Sequence, residues 1–268
     1  MTILITGATG KTGRRIADRL TALGLPVRSG SRSATPAFDW ADRATYAPAL
    51  DGVESAYLSY YPDLAFPGAL ADIEAFVEQA KAAGVGRLVL LSGRSEEQAQ
   101  AAEEVVKGSG LEWTILTCSW FMQNFSEGFL LDPVLSGVIA LPAQDVAEPF
   151  LDVDDIAEIA VAALTGDAHA GRHYELTGPR LLTFADVAAE LSKATGRDIV
   201  YLPVTSAEFL ASAVEHGVPE EEAAGLNALF TDVLDGRNAY VADGVRQALG
   251  RPARDFTDFA RTFAQGTA

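Results

Sequence analysis

The sequence predicts an α/β protein: a doubly wound parallel sheet from the first half, with a smaller, mostly helical lobe from the second. Three observations carry this expectation. Through residue 118, short apolar runs alternate with helical stretches, the order that builds a parallel sheet flanked by helices. The run RLVLLS at 87–92 is a continuous apolar strand, as strands covered on both faces are, and EWTILT at 112–117 reads as another buried strand. After about Trp120 the strand signals thin out and helical spacing dominates.

Taken in order, residues 2–6 form a β-branched apolar strand. Residues 11–23 then repeat at helical spacing, with Ile16, Leu20 and Leu23 on one face, and Gly24 ends the helix. Residues 26–29 and 55–60 are further strands, and 69–83 is a helix stopped by Gly84. The strand at 87–92, a helix at 96–107 and the strand at 112–117 complete the alternation. Beyond it, Asp154 gives an acidic start to a helix over 154–164, and 172–176 suits one more sheet strand. A helix at 183–195, a strand at 199–203 and three helical stretches between 206 and 263 fill the remainder. No repeat or Gly/Ser linker intervenes. Residues 1–118 therefore read as the sheet region and 119–268 as mostly the lobe, with segments near 137–177 returning to the sheet core.

Composition narrows the function. The net charge of −17 over 268 residues repels phosphate backbones and argues against a nucleic-acid partner. The single cysteine, Cys118, rules out an internal disulfide and fits a reducing compartment. No apolar run reaches the roughly 18–20 residues of a membrane span, and MTILITGATG does not resemble a signal peptide. The expectation is a cytoplasmic protein without a membrane partner; its oligomeric state is not specified.

The most informative segment is Gly7-Ala8-Thr9-Gly10-Lys11-Thr12-Gly13, which leaves the first strand and opens the first helix. Gly7 suits a tight turn, Gly10 lets a pyrophosphate approach the backbone, and Gly13 lets helix and strand pack closely. The helix start offers free N–H groups and a positive dipole end to the phosphates. This is a Rossmann-type dinucleotide turn with G-x-x-G-x-x-G spacing. NAD-binding chains usually place an acid at the end of the second strand. Here the residues are VRSGSRS, with no acid before Asp39. Arg32, flanked by Ser31 and Ser33, suits a 2′-phosphate, so NADP(H) is expected over NAD(H). Arg28 is the weaker candidate. Asp39 and Trp40 belong near the adenine end, with Trp40 equally suited to the core.

GATGKTG, VRSGSRS, RLVLLSG and SGLEWTILTCSWFMQNF together resemble the NmrA-like branch of the atypical short-chain dehydrogenase/reductases, as do FLDVDDIAEIAVAAL and HYELTGPRLLTFADVAAEL further on. The resemblance covers most of the chain. FDW at 38–40 and SWFMQNF at 119–125 are most similar to bacterial relatives of festuclavine (ergot-alkaloid) dehydrogenases. The resemblance implies that Gly7, Thr9, Gly10, Lys11, Thr12 and Gly13 hold the pyrophosphate and that Arg32, with Ser33, holds the 2′-phosphate. It implies that Ser59, Tyr60 and Tyr61, after the fourth strand, pass beneath the adenosine ribose. Ser92 and Gly93, after the fifth, would approach the nicotinamide ribose, and Ser119 and Trp120 follow the sixth beside the nicotinamide. The chain departs from the branch at Thr117-Cys118, where Arg-Pro is usual, and at Gln123, where Glu is usual.

The chemistry is less explicit. None of the seven tyrosines is followed by a lysine four residues later, so the Tyr-x-x-x-Lys proton donor of ordinary short-chain dehydrogenases is missing. A reductase here would favour an acceptor needing little proton donation: an imine or iminium ion first, a quinone or activated C=C bond next. The alternative is a non-catalytic, NADP-binding redox sensor of the NmrA type. Ser92 is the candidate catalytic residue, or equally a cap. Glu103 suits a solvated helix face, Lys107 the end of its helix, and Cys118 a small buried position. Tyr61, Trp120, Phe121 and Phe125 are the candidate substrate surface; with Phe129, the aromatic spacing after Trp120 also fits a core stripe. His169, His173 and His216 lack metal-ligand spacing, and no metal is expected.

Overall fold

The computed structural model describes residues 2–267. In chain order the elements are β1 (Thr2–Thr6), α1 (Lys11–Ala22), β2 (Val27–Gly30), α2 (Tyr46–Leu50), β3 (Val53–Leu58), α3 (Ala69–Ala83), β4 (Arg87–Gly93), α4 (Glu97–Lys107) and β5 (Glu112–Cys118). They continue with α5 (Asn124–Glu127), α6 (Leu131–Ser136), β6 (Val138–Leu141), β7 (Ala147–Glu148), α7 (Val153–Thr165), β8 (Arg172–Leu176), β9 (Leu182–Thr183), α8 (Phe184–Thr195) and β10 (Val200–Pro203). The last are α9 (Ser206–Glu215), α10 (Glu220–Val233), α11 (Gly244–Leu249) and α12 (Phe256–Thr267).

The chain divides into two compact units. The first comprises Met1–Cys118, Val153–Leu176 and Ala242–Pro252. It holds a six-stranded sheet in the order β2-β1-β3-β4-β5-β8, and every neighbouring pair is parallel. Strand periodicity sorts the side chains by face. Leu4, Ala56, Leu58, Leu88, Leu90 and Ile115 join a core with Ile73, Phe76 and Val77 of α3 and Ala99, Ala102 and Val106 of α4. Ile3, Ile5, Tyr57 and Val89 are buried on the other face, where α1 and α7 pack together. The sheet is thus the doubly wound, Rossmann-type architecture read from the alternation.

One detail differs from the strand numbering that the resemblance implied. Between β2 and β3 no further strand joins the sheet; residues 36–45 run through turns, with an isolated bridge between Asp39 and Asp42. Phe38 and Trp40 turn inward there against Tyr46 and Phe76, so aromatic burial shapes this segment. Ser59 therefore follows the third strand of the chain, Ser92 lies in the fourth and Ser119 follows the fifth.

The second unit comprises Ser119–Asp152, Thr177–Val241 and Ala253–Ala268. Its core gathers Phe125, Phe150, Phe184, Phe230 and Phe256 from five separate segments. Thr183 caps α8 by a reciprocal capping box with Asp186, and Thr205 caps α9 in the same way with Glu208. Arg180 reaches Asp255 at 2.8 Å and also bonds Glu190, tying α12 to α8. The strand pairs β6–β10 and β7–β9 were not visible as sheets in the sequence, being too short to show a period.

Candidate dinucleotide site

The glycine turn is built by backbone constraint. Gly7 has φ +63°, a left-handed conformation that an L side chain rarely adopts, and its N–H donates to the Gly30 carbonyl at 3.0 Å. Its own carbonyl accepts from Gly10 N–H at 2.8 Å. Gly13 lies against that carbonyl so closely that a Cβ would stand 2.2 Å from the oxygen. Helix α1 therefore begins in contact with the end of β1. Its N-cap is Gly10, which provides no side-chain cap, and its first turn carries no acid. Thr9 and Gly10 are exposed, Lys11 is half-buried, and Thr12 and Gly13 are buried. An uncapped, acid-free helix start behind a glycine turn is a cradle for phosphates, and the residues present fit a dinucleotide.

At the end of β2 the arginines separate by role. Arg28 donates to the carbonyls of Ala49 at 2.9 Å and Asp51 at 2.5 Å, so its guanidinium holds the chain around α2. Arg32 is exposed, as is Ser33, and Arg32 forms no ion pair among the described residues. The Ser33 hydroxyl lies 3.4 Å from that of Ser31. The nearest acid in sequence, Asp39, accepts from Ala41 N–H at 3.1 Å within its own turn. The β2 end thus presents an unpaired guanidinium and no ribose-binding carboxylate.

Trp40 belongs to the core. It is buried, and its indole N–H donates to the Ser59 carbonyl at 2.9 Å. Thr6 secures the same loop: its hydroxyl donates to the Tyr57 carbonyl at 3.0 Å and accepts from Ser59 N–H at 2.8 Å. The Ser59 side chain faces the turn, 3.3 Å from where a Gly7 Cβ would lie. Tyr60 packs on Trp40 with ring centroids 5.1 Å apart and donates to Asp72 at 2.9 Å. Burial, then the Asp72 carboxylate, push its hydroxyl pKa up to about 12. Tyr61 stands apart, 74% exposed.

The ends of β4 and β5 hold a buried polar cluster that the sequence reading missed. Ser92 Oγ donates to Glu103 Oε1 at 2.7 Å, and Thr117 Oγ1 donates to the same oxygen at 2.8 Å. His173 Nε2 lies 2.8 Å from Thr117 Oγ1 and 3.7 Å from Glu103 Oε2, while Lys107 Nζ lies 3.6 Å from Oε2. Glu103 is 3% exposed, which corrects the expectation of a solvated position. The reason is helical phase: Ala99, Ala102 and Val106 of α4 face the sheet, and position 103 lies on the same stripe. That spacing, together with Glu103-x-x-x-Lys107, was the available signal. His173 had none, because its pairing depends on the register of β8 against β5.

Gly93 follows Ser92, and a Cβ there would meet the Glu96 carboxylate at 2.3 Å. Arg94 is buried and donates to Glu175 at 2.8 Å. Cys118 is buried, and burial pushes its thiol pKa up, so the thiolate is disfavoured. Tyr57 is buried on the opposite face beside Thr12, and burial holds its hydroxyl protonated.

In the second unit, Ser119 is buried and its hydroxyl donates to the Pro149 carbonyl at 2.6 Å. Trp120 is half-buried, its ring 5.5 Å from Phe230 and 5.7 Å from Phe184. Phe121 is half-buried beside Leu151, and Phe129 is exposed. Phe125 is fully buried and contacts Phe150, Phe184 and Phe256 edge-on or tilted. It is corrected from a pocket wall to core packing, because no part of its ring remains exposed. Gln123, where the family has Glu, donates to Asp152 at 2.9 Å. Among the described residues no group of three His, Cys, Asp or Glu could hold a metal, and no helix is long and apolar enough to cross a membrane.

Fold and turn define a Rossmann-type dinucleotide-binding protein. A model of the NmrA-like family matches residues 1–254, and the chain belongs to that family. It is 35% identical to an agroclavine dehydrogenase of Claviceps fusiformis, over 97% of this chain and 96% of that one. It is 30% identical to an NAD(P)H azoreductase of Xenophilus azovorans, over 98% of each. Among solved structures, the triphenylmethane reductase of Citrobacter sp., complexed with NADP(H), superposes with a TM-score of 0.78 at 21% identity, over 98% of this chain and all of that one, and shares the fold. The chain is an oxidoreductase of the atypical short-chain class that this family represents.

Proposed function

We propose that the protein is an NADPH-dependent reductase of small cyclic or aromatic acceptors, an imine or iminium ion ahead of a quinone or an activated C=C bond. The observation that carries the cofactor preference is the unpaired Arg32 at the end of β2, with Asp39 engaged in its own turn. A guanidinium pairs with a 2′-phosphate, and a ribose hydroxyl would want the carboxylate that is missing. When bound, NADPH supplies the hydride. The chain would hold it through Gly7, Thr9, Gly10, Lys11, Thr12 and Gly13 at the pyrophosphate, through Arg32 and Ser33 at the 2′-phosphate, and through Ser59, Tyr60, Ser92 and Gly93 along the riboses.

The acceptor preference rests on proton inventory. The chain has no Tyr-x-x-x-Lys pair, and the Ser92 hydroxyl donates to Glu103. An iminium ion accepts hydride at carbon without a proton, and the net charge of −17 favours a cation. Relatives named agroclavine dehydrogenase and NAD(P)H azoreductase support a reductase of small organic acceptors. Trp120 and Phe121, both half-buried, offer aromatic surface for a flat acceptor, with Tyr61 as a third candidate. Ser92 supports the reaction from β4. We place the protein in the cytoplasm, without nucleic-acid or membrane partners.

The test is NADPH oxidation against cyclic imines, quinones and enones. Oxidation well above the blank, with imines foremost, is expected. Tight NADPH binding without oxidation of any acceptor would replace this reading with that of a redox sensor.

A further inference from the structure

The Glu103 cluster has a polarity that bears on cofactor binding; the inference rests on the dinucleotide reading above. Both hydroxyls that reach Glu103 Oε1 donate to it. The single proton of Ser92 is thereby directed into the protein, and the hydroxyl's remaining capacity is its lone pairs. Ser92 stands at the carboxyl end of β4, the edge at which open parallel sheets bind ligands. A buried carboxylate is also a costly packing element unless its bonds serve a purpose. Glu97 and Glu104 of the same helix are exposed, whereas Glu103 is enclosed between Ser92, Thr117, Lys107 and His173.

We propose that Glu103 is a positioning residue: by holding the Ser92 proton, it fixes Ser92 as a hydrogen-bond acceptor for the hydroxyl or amide donors on the nicotinamide half of the bound dinucleotide. Glu103 itself does not touch the cofactor. Ser92 in this state gives no proton to an acceptor substrate, which agrees with chemistry that needs none.

The experiment is a double-mutant cycle on NADPH affinity, read by nicotinamide fluorescence, with a thermal melt of every variant. Ser92→Ala and Glu103→Met should each weaken NADPH about five- to tenfold, the value of one hydrogen bond. The double variant should be no weaker than Ser92→Ala alone. Glu103→Gln keeps an oxygen that accepts both hydroxyls and should stay within about twofold of wild type. Thr117→Val removes the other donor to the same carboxylate and should leave affinity unchanged. Should Glu103→Met not fold, Glu103→Asp, which draws the carboxylate away from Ser92, should reproduce the Ser92→Ala loss. Additive losses in the double variant, a wild-type affinity in Glu103→Asp, or a loss in Thr117→Val equal to that in Glu103→Met would overturn the proposal. Failure of the wild-type protein to bind NADPH would overturn both this inference and the reductase reading. Wild-type binding with an additive cycle would overturn this inference alone.

Discussion

Replacing Gly13 with alanine adds one methyl group where the backbone leaves no room. The new Cβ would stand 2.2 Å from the Gly7 oxygen, 2.7 Å from its carbonyl carbon and 3.0 Å from Ala8 Cα, whereas ordinary contact begins at 3.4 Å. All three atoms are backbone, so no side chain can swing aside. The Gly7 carbonyl is also held by Gly10 N–H at 2.8 Å, and moving it would disturb the turn. Overpacking of this severity costs about 3 kcal/mol, the upper part of the usual range. For a chain of this size that corresponds to a fall of roughly 6–12 °C in melting temperature. Gly24→Ala is the matched control: its φ is +74°, but nothing lies within 4 Å of the added atom. Its cost is confined to the left-handed backbone, about 1–2 kcal/mol. The assay is thermal melting with and without NADPH, combined with a fluorescence titration. Gly24→Ala should melt lower yet keep the stabilisation that NADPH gives by linkage. Gly13→Ala should lose both stability and that ligand-induced rise. Wild-type melting and wild-type NADPH affinity in Gly13→Ala would refute the argument that close backbone contact shapes the turn.

Three further outcomes are expected. Arg32→Ala should weaken NADPH about ten- to hundredfold, the range of a charge-assisted bond, and leave NADH within about twofold; equal losses for both cofactors, compared by titration, would contradict the 2′-phosphate assignment. Phe125→Ala should cost about 3–5 kcal/mol in urea unfolding while the folded fraction keeps its KM for the acceptor, since the ring is core; an unchanged unfolding midpoint would contradict that placement. His169 is buried beside Tyr174, and burial, with Arg172 nearby, holds its pKa below the ordinary value near 6.5. The unfolded chain therefore binds this proton more readily, so the contribution is present above pH ~6.5 and is lost as pH falls through the folded value. Melting temperatures across pH 5–8 should show this slope, and His169→Asn should flatten it; an identical slope in the variant would assign the loss to other groups.

How much was legible in the sequence follows from how local each signal is. The sheet strands up to β5, together with α1, α3 and α4, were readable because each carries its own apolar period and a glycine stop or turn nearby. The dinucleotide turn was readable because the contacts that constrain Gly10 and Gly13 lie within seven residues, at Gly7 and Ala8. The Glu103 cluster was not, because it joins β4, α4, β5 and β8, whose alignment is set only when the strands pair. Phe125 was ambiguous for the same reason. A helical aromatic stripe has the same spacing whether it meets a ligand or, as here, Phe150, Phe184 and Phe256 from distant segments. Residues 36–45 defeated the strand count because inward-facing aromatics, rather than backbone pairing, shape them.

The most direct test of the central claim is reduction of a cyclic imine with NADPH deuterated at the nicotinamide C4, followed by mass spectrometry and NMR of the product. Hydride transfer to carbon predicts one deuterium on the carbon beside nitrogen, formed only with enzyme present. Product without deuterium from either C4-labelled epimer, or no product while NADPH is bound, would contradict the reductase account.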